Sequence, residues 1–143
     1  MTTPQDLRLL RRAIALADEA GAAGNPPFGS LLASDGGVVL AEDRNTTLTD
    51  RDITAHPELK LARWAARELT PEVAAGTTMY TSCEPCGMCA AAIRVAGLRR
   101  VVFALSGEQL RTIRPDSGRP PVPQDGPALW EEVRAAVAPY YRS

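Results

Sequence analysis

The chain is predicted to be an α/β protein, a three-layer α/β/α sandwich around a mixed sheet, on three observations. Strand-length apolar runs alternate with longer stretches of helical period. One pair of short runs brackets a turn. And 143 residues, 45% hydrophobic and 23% charged, suit one compact soluble domain over residues 1–143.

From about Pro4 to Ala23, Leu7, Leu10, Ile14, Ala17 and Ala20 recur at helical spacing, and Gly21 and Gly24 follow as stop signals. Phe28 to Ala33 and Val38 to Ala41 are strand-length runs joined by Ser34-Asp35-Gly36-Gly37, which is hairpin turn chemistry. Glu42 to Thr54 is polar and is expected to be a loop. It leads into His56-Pro57-Glu58 and a second helix carrying Leu59, Ala62, Ala66 and Leu69. Proline suits the first helical position, where the N–H it lacks has no partner in any case. A third strand over Thr77 to Thr81, a third helix over Cys86 to Ala96 and a fourth strand over Arg99 to Leu105 follow. Arg114 to Pro127 is rich in Pro, Gly and Asp, so a fifth strand there would be short. A last helix from about Ala128 to Tyr140 places Leu129, Val133 and Val137 on one face, with Trp130, Tyr140 and Tyr141 expected to pack it.

Sixteen basic residues against seventeen acidic ones, net −1, set up no global field for a phosphate backbone. Nucleic acid is therefore disfavoured as a partner, the more so because Lys60 is the only lysine. No apolar run reaches membrane length and the first twelve residues lack a signal-peptide core, so the expected location is cytoplasmic. Three cysteines within seven positions make a poor disulfide framework and a common metal-ligand pattern.

Those cysteines carry the chemistry together with the only histidine. Cys86 and Cys89, three apart on the first turn of a helix, project their sulfurs toward a common point, where the helix dipole favours thiolates. His56, at the mouth of another helix, supplies a third ligand. Three protein ligands suit Zn2+ and leave its fourth tetrahedral position open to water, as in a catalytic rather than a structural site. Glu58, two residues after His56, is placed to accept that water's proton and return it to a leaving group.

In these residues the sequence resembles the cytidine deaminase superfamily, whose signature pairs H-x-E with P-C-x-x-C. The likeness runs from Pro27-Phe28-Gly29 through Arg44-Asn45 and Asp52-Ile53-Thr54-Ala55-His56 to Cys83-Glu84-Pro85-Cys86 and the following helix. It is most similar to the branch holding guanine deaminases, fungal-type cytosine deaminases and bacterial tRNA adenosine deaminases. The resemblance implies a sheet of about five strands, a homodimer, and hydrolytic removal of an exocyclic amine from a nucleobase-like small molecule. It further implies that Asn45 hydrogen-bonds the substrate and that Phe28 walls the pocket. Relatives mostly carry a small residue between histidine and glutamate whose backbone N–H faces the substrate. Pro57 stands there without that donor, so substrate preference does not carry over with the zinc chemistry.

Other readings share some of these residues. A thiol–disulfide enzyme would use Cys83 and Cys86 but leaves His56 and Glu58 idle. A non-catalytic structural zinc module would recruit Cys83 as a fourth ligand. A tRNA adenosine deaminase keeps the chemistry and changes the substrate. Glu84 and Asp52 are expected to hold loops or helix N-termini, and Trp64 to sit in the core or an interface.

Overall fold

The computed structural model describes residues 1–114 and 119–142. Its elements are α1 (Pro4–Ala22), β1 (Gly29–Ala33), β2 (Val39–Arg44), α2 (Pro57–Glu68), α3 (Pro71–Ala75), β3 (Thr78–Cys83), α4 (Gly87–Val95), β4 (Arg100–Leu105), α5 (Gly107–Ile113) and α6 (Trp130–Tyr141). The sheet is mixed and four-stranded in the order β2-β1-β3-β4. β1 runs antiparallel to both β2 and β3, while β3 and β4 are parallel.

Alternation along the two central strands builds the three layers. Leu31 and Tyr80 turn to one face and Leu32 and Met79 to the other, because successive strand side chains point to opposite sides. On the first face Leu9 and Leu10 of α1 close a core with Ala33 and Val102. On the second, Leu61, Ala62 and Ala65 of α2 and Ile93 of α4 close another, with Trp64 packed against its margin. α1 lies directly on β1 at Gly29, where a β-carbon would meet Ala17 N and Leu16 Cβ at 2.5 Å and Ala13 O at 2.6 Å.

At the N-terminus of α1, Thr3 and Asp6 form a reciprocal capping box. Asp6, 2% exposed, does more than cap. Its Oδ1 accepts from the Tyr80 hydroxyl at 2.7 Å and from Arg100 Nη1 at 3.1 Å, and its Oδ2 from Arg100 Nη2 at 2.8 Å. One carboxylate thus ties α1 to β3 and β4 at the end of the sheet away from Cys83.

Several expectations are corrected. β2 continues through Glu42-Asp43-Arg44, placed in a loop by its polarity; an edge strand needs only its backbone ladder, and Gly29 pairs with Arg44. α3 is too short to show a period and is announced by Thr70 as N-cap and Pro71. α5 was likewise unforeseen, although Ser106 and Gln109 form a capping box at its start. The third helix begins at Gly87, with Cys86 as its N-cap. There is no fifth strand among the described residues: residues 119–129 have no regular structure, and residues 115–118 of the expected segment lie outside the described ones. β4 therefore has no partner on its outer edge among the described residues. The last helix forms but buries none of its residues; Val133 and Val137 are 47% and 48% exposed, and Trp130, Tyr140 and Tyr141 more so. Its expected packing face is left open among the described residues. No helix among the described residues is long and apolar enough to cross a membrane.

Candidate active site

Two helix N-termini meet beside the C-terminal end of β3. The loop before α2 is fixed by short bonds: Asp52 Oδ1 accepts from Thr54 N at 2.8 Å and Thr54 Oγ1 at 2.6 Å, and Ala55 O accepts from Thr46 N. This loop-holding role is the one expected for Asp52. His56 is then the N-cap, with extended backbone and no capping bond from its ring, so the imidazole is free to face elsewhere. Pro57 takes the first helical position and is buried; Glu58 follows it, 6% exposed.

β3 delivers the sulfur side. Cys83 is its last residue, and Glu84 N donates to Leu105 O at 2.7 Å to prolong the pairing with β4. The chain turns at Pro85 into α4, with Cys86 at the N-cap and buried Cys89 one turn on. Since α2 and α4 pack side by side on the same face of the sheet, their starts bring His56, Cys86 and Cys89 together.

His56 Nδ1 lies 3.7 Å from Cys86 Sγ and 3.5 Å from Cys89 Sγ, and the three donor atoms are all within 4.8 Å of one another. A tetrahedral ion with zinc–sulfur bonds of about 2.3 Å and zinc–nitrogen bonds of about 2.0–2.1 Å requires a sulfur–nitrogen separation of about 3.6 Å. The residues fit zinc, in donor type and in spacing. The neighbouring Cys89 sulfur, with His56 beside it, pushes the Cys86 thiol down to about 5, while Cys86 and burial push Cys89 up. Burial pushes the Glu58 carboxyl above its ordinary range, with its own backbone N–H and His56 pulling the other way. Cys83, 7% exposed, stands outside the three-donor set, and burial raises its thiol.

His56, Glu58, Cys83 and Cys86 line a cavity of about 740 Å³, with Cys89 buried beneath them. Phe28, half-buried, and Asn45, 3% exposed, stand on its wall with Pro57. Asn45 N donates to Phe28 O, extending the β1–β2 ladder by one residue. The Asn45 amide is oriented unambiguously: its Oδ1 accepts from Thr47 N and from Thr47 Oγ1, both at 2.9 Å, and a backbone N–H can only donate. Nδ2 is left as the group the cavity can meet. α5 lines the cavity as well, with Leu110, Arg111 and the C-cap Arg114. It was missed from the sequence, and its capping box was the available signal. Glu84 serves that helix, as expected, its Oε1 accepting from Gly107 N at 2.7 Å. Trp130, Tyr140 and Tyr141 take no part in the cavity.

The family model of the cytidine and deoxycytidylate deaminase zinc-binding region matches residues 3–105. A tRNA-specific adenosine deaminase of Haemophilus influenzae is 36% identical over 101 residues, 71% of this chain and 58% of that protein. A probable cytosine deaminase of Schizosaccharomyces pombe is 36% identical over 120 residues, 82% of this chain and 70% of its own. The crystal structure of guanine deaminase from Bacillus subtilis superposes with a TM-score of 0.75 at 30% identity, covering 95% of this chain and 94% of that one. The chain belongs to the cytidine and deoxycytidylate deaminase family of zinc-dependent hydrolytic deaminases.

Proposed function

We propose that the protein hydrolyses the exocyclic amine from a free nucleobase or base analogue, of guanine, isoguanine, cytosine or amino-triazine type, converting a ring C–NH2 and water to a ring C=O and ammonia. The observation that carries this reading is a buried carboxyl, Glu58, set beside a three-donor metal set in a cavity that also presents the Asn45 amide.

In this reading His56 Nδ1, Cys86 Sγ and Cys89 Sγ hold the metal. Bound there, zinc supplies a Lewis acid that lowers the pKa of a water to about 7. Glu58 takes that water's proton on a carboxylate oxygen, delivers it to the ring nitrogen next to the reacting carbon, and carries a second proton to the departing amine. Its burial supports such a shuttle, since desolvation raises the carboxyl above its ordinary range and so makes it a better proton acceptor than an exposed glutamate. Asn45 Nδ2 donates to an acceptor on the ring edge, Phe28 stacks on the ring, and Pro57 offers no donor. The substrate therefore presents an acceptor to Asn45 and asks nothing of residue 57. Residues 1–143 act as one deaminase domain in this reading, in the cytoplasm and as a homodimer.

The test is ammonia release by zinc-loaded protein from guanine, isoguanine, cytosine, adenine, their nucleosides, amino-triazines and a tRNA anticodon stem-loop. Turnover of one or more free rings is expected, with Glu58→Gln keeping its zinc and losing at least about a hundredfold in kcat. Efficient deamination of the stem-loop with none of the free bases would overturn the substrate class. A Glu58→Gln variant with normal turnover would overturn the mechanism.

A further inference from the structure

The α5 wall of the cavity is left unused by the deamination chemistry. The donor set and Glu58 belong to the starts of α2 and α4, and Asn45 and Phe28 to the ends of the β1–β2 pair, whereas the α5 wall carries Leu110, Arg111 and Arg114. At about 740 Å³ the cavity lies in the upper part of the range for sites that take drug-sized ligands, well beyond a single flat ring. Arg111 makes no ion pair among the described residues, although Glu108 stands one turn before it on the same wall. Glu84, the other acid on this side, has Oε1 committed to the Gly107 N–H. Arg114 follows one turn later and lines the same space.

A guanidinium is a planar fork of donors that matches an oxyanion with two parallel bonds. Both Arg111 and Arg114 are exposed at the cavity's rim, so their pull on an anion rests on the fork geometry and is sensitive to salt. A neutral ring offers such a group acceptors and a face to stack on but no charge to neutralise.

We propose that the α5 wall, with Arg111 as its main contact and Arg114 beside it, is a subsite for an oxyanion carried by the substrate. The substrate class is then an amino-substituted nitrogen heterocycle bearing a carboxylate or phosphate on the side away from the amine to be removed. This rests on the deaminase chemistry and goes beyond the free-ring substrate class: the anion positions the ring, and the amine end meets Glu58. A carboxylate fixed to the ring and a phosphate carried through a sugar share the same recognition chemistry.

The experiment measures binding apart from turnover. Zinc-loaded Glu58→Gln protein is titrated by calorimetry with matched pairs: an amino-triazine and its ring carboxylate, cytosine and its ring carboxylate, cytidine and cytidine 5′-monophosphate. The anionic member of at least one pair is expected to bind roughly tenfold or more tightly, the size of a charge-assisted hydrogen bond. That ratio should fall toward one in the Arg111→Gln/Arg114→Gln background and with rising salt. Arg111→Lys should restore only part of it, because an ammonium lacks the fork. Zinc content checks that each variant is folded at the site. The pair that shows the preference tells a ring carboxylate from a phosphate. Equal binding within every pair, or a preference that survives the double Gln change, overturns the subsite. So does an effect of the double change confined to an RNA stem-loop. An anion preference in protein that releases no ammonia from any ring leaves the subsite standing and removes the deaminase reading instead.

Discussion

Thr47 has no group suited to proton or metal chemistry, yet it decides which end of the Asn45 amide the cavity meets. Both of its donors, backbone and hydroxyl, hold Asn45 Oδ1. Thr47→Val keeps shape and backbone bond but removes the hydroxyl, so the amide is held by one bond instead of two. A lost hydrogen bond of about 1 kcal/mol predicts a rise in KM of about fivefold with kcat nearly kept, read by steady-state kinetics on whichever ring is turned over. A fall in kcat with constant KM would mean that Thr47 acts on the chemistry instead. The cysteines separate in the same manner. Cys86→Ser and Cys89→Ser are expected to purify without zinc, and Cys83→Ser with one ion per chain, measured by chelator colorimetry. Loss of the metal from Cys83→Ser would move the site to a four-ligand structural centre.

At the scale of elements, the approach of α1 to β1 depends on a missing side chain. A β-carbon at residue 29 would press on Ala17 N and Ala13 O, which are helix backbone and cannot swing aside. Gly29→Ala is expected to cost about 1–3 kcal/mol in urea unfolding, the range for overpacked sites, and to disturb the strand that leads into Phe28 and Asn45. A midpoint unchanged from wild type would show that α1 can ride outward freely. Legibility from the sequence follows the same division. The helices with strong apolar period and the two inner strands announced themselves, since β1 and β3 are buried along their whole length. The donor cluster was readable because its spacing is local: Cys86 and Cys89 share one turn, and His56 and Glu58 flank a proline at a helix start. Asn45 and Phe28 came through resemblance alone, as nothing in a polar loop marks an amide that a threonine will hold. β2 was cut short, because its last three residues are polar and its pairing lies in the backbone. α5 went unseen because seven residues give no measurable period, and with it went the arginine wall.

For the molecule as a whole, the Asp6 junction clamps the sheet end that lies opposite the metal donors. Arg100, with help from Thr3 N and the Tyr80 hydroxyl, holds the Asp6 carboxyl far below the ordinary carboxylate range. The folded protein therefore keeps this group ionised to more acid pH than the unfolded chain does. Its contribution is complete above the unfolded value of about 3.9 and drains away as pH falls through that value toward the folded one. Asp6→Asn is expected to lose about 2 kcal/mol at neutral pH, an amount moderated because the Arg100 side chain is 38% exposed. Between about pH 5 and pH 2 the wild type should lose stability more steeply than the variant, followed by urea midpoints across that range. Parallel pH profiles would remove Asp6 from the acid response.

The bare outer edge of β4 has a practical side for anyone keeping this protein on the bench. Val101, Val102, Phe103 and Leu105 run along a strand whose outward N–H and C=O groups have no partner among the described residues, and Phe103 is 41% exposed. Such an edge is a template for a strand from a neighbouring molecule, with Arg100 the only charge along it to discourage docking. Shelf life at high concentration is expected to depend on this edge, and a gatekeeping charge such as Phe103→Lys, at a residue that does not line the cavity, is expected to lengthen it, followed by light scattering over time.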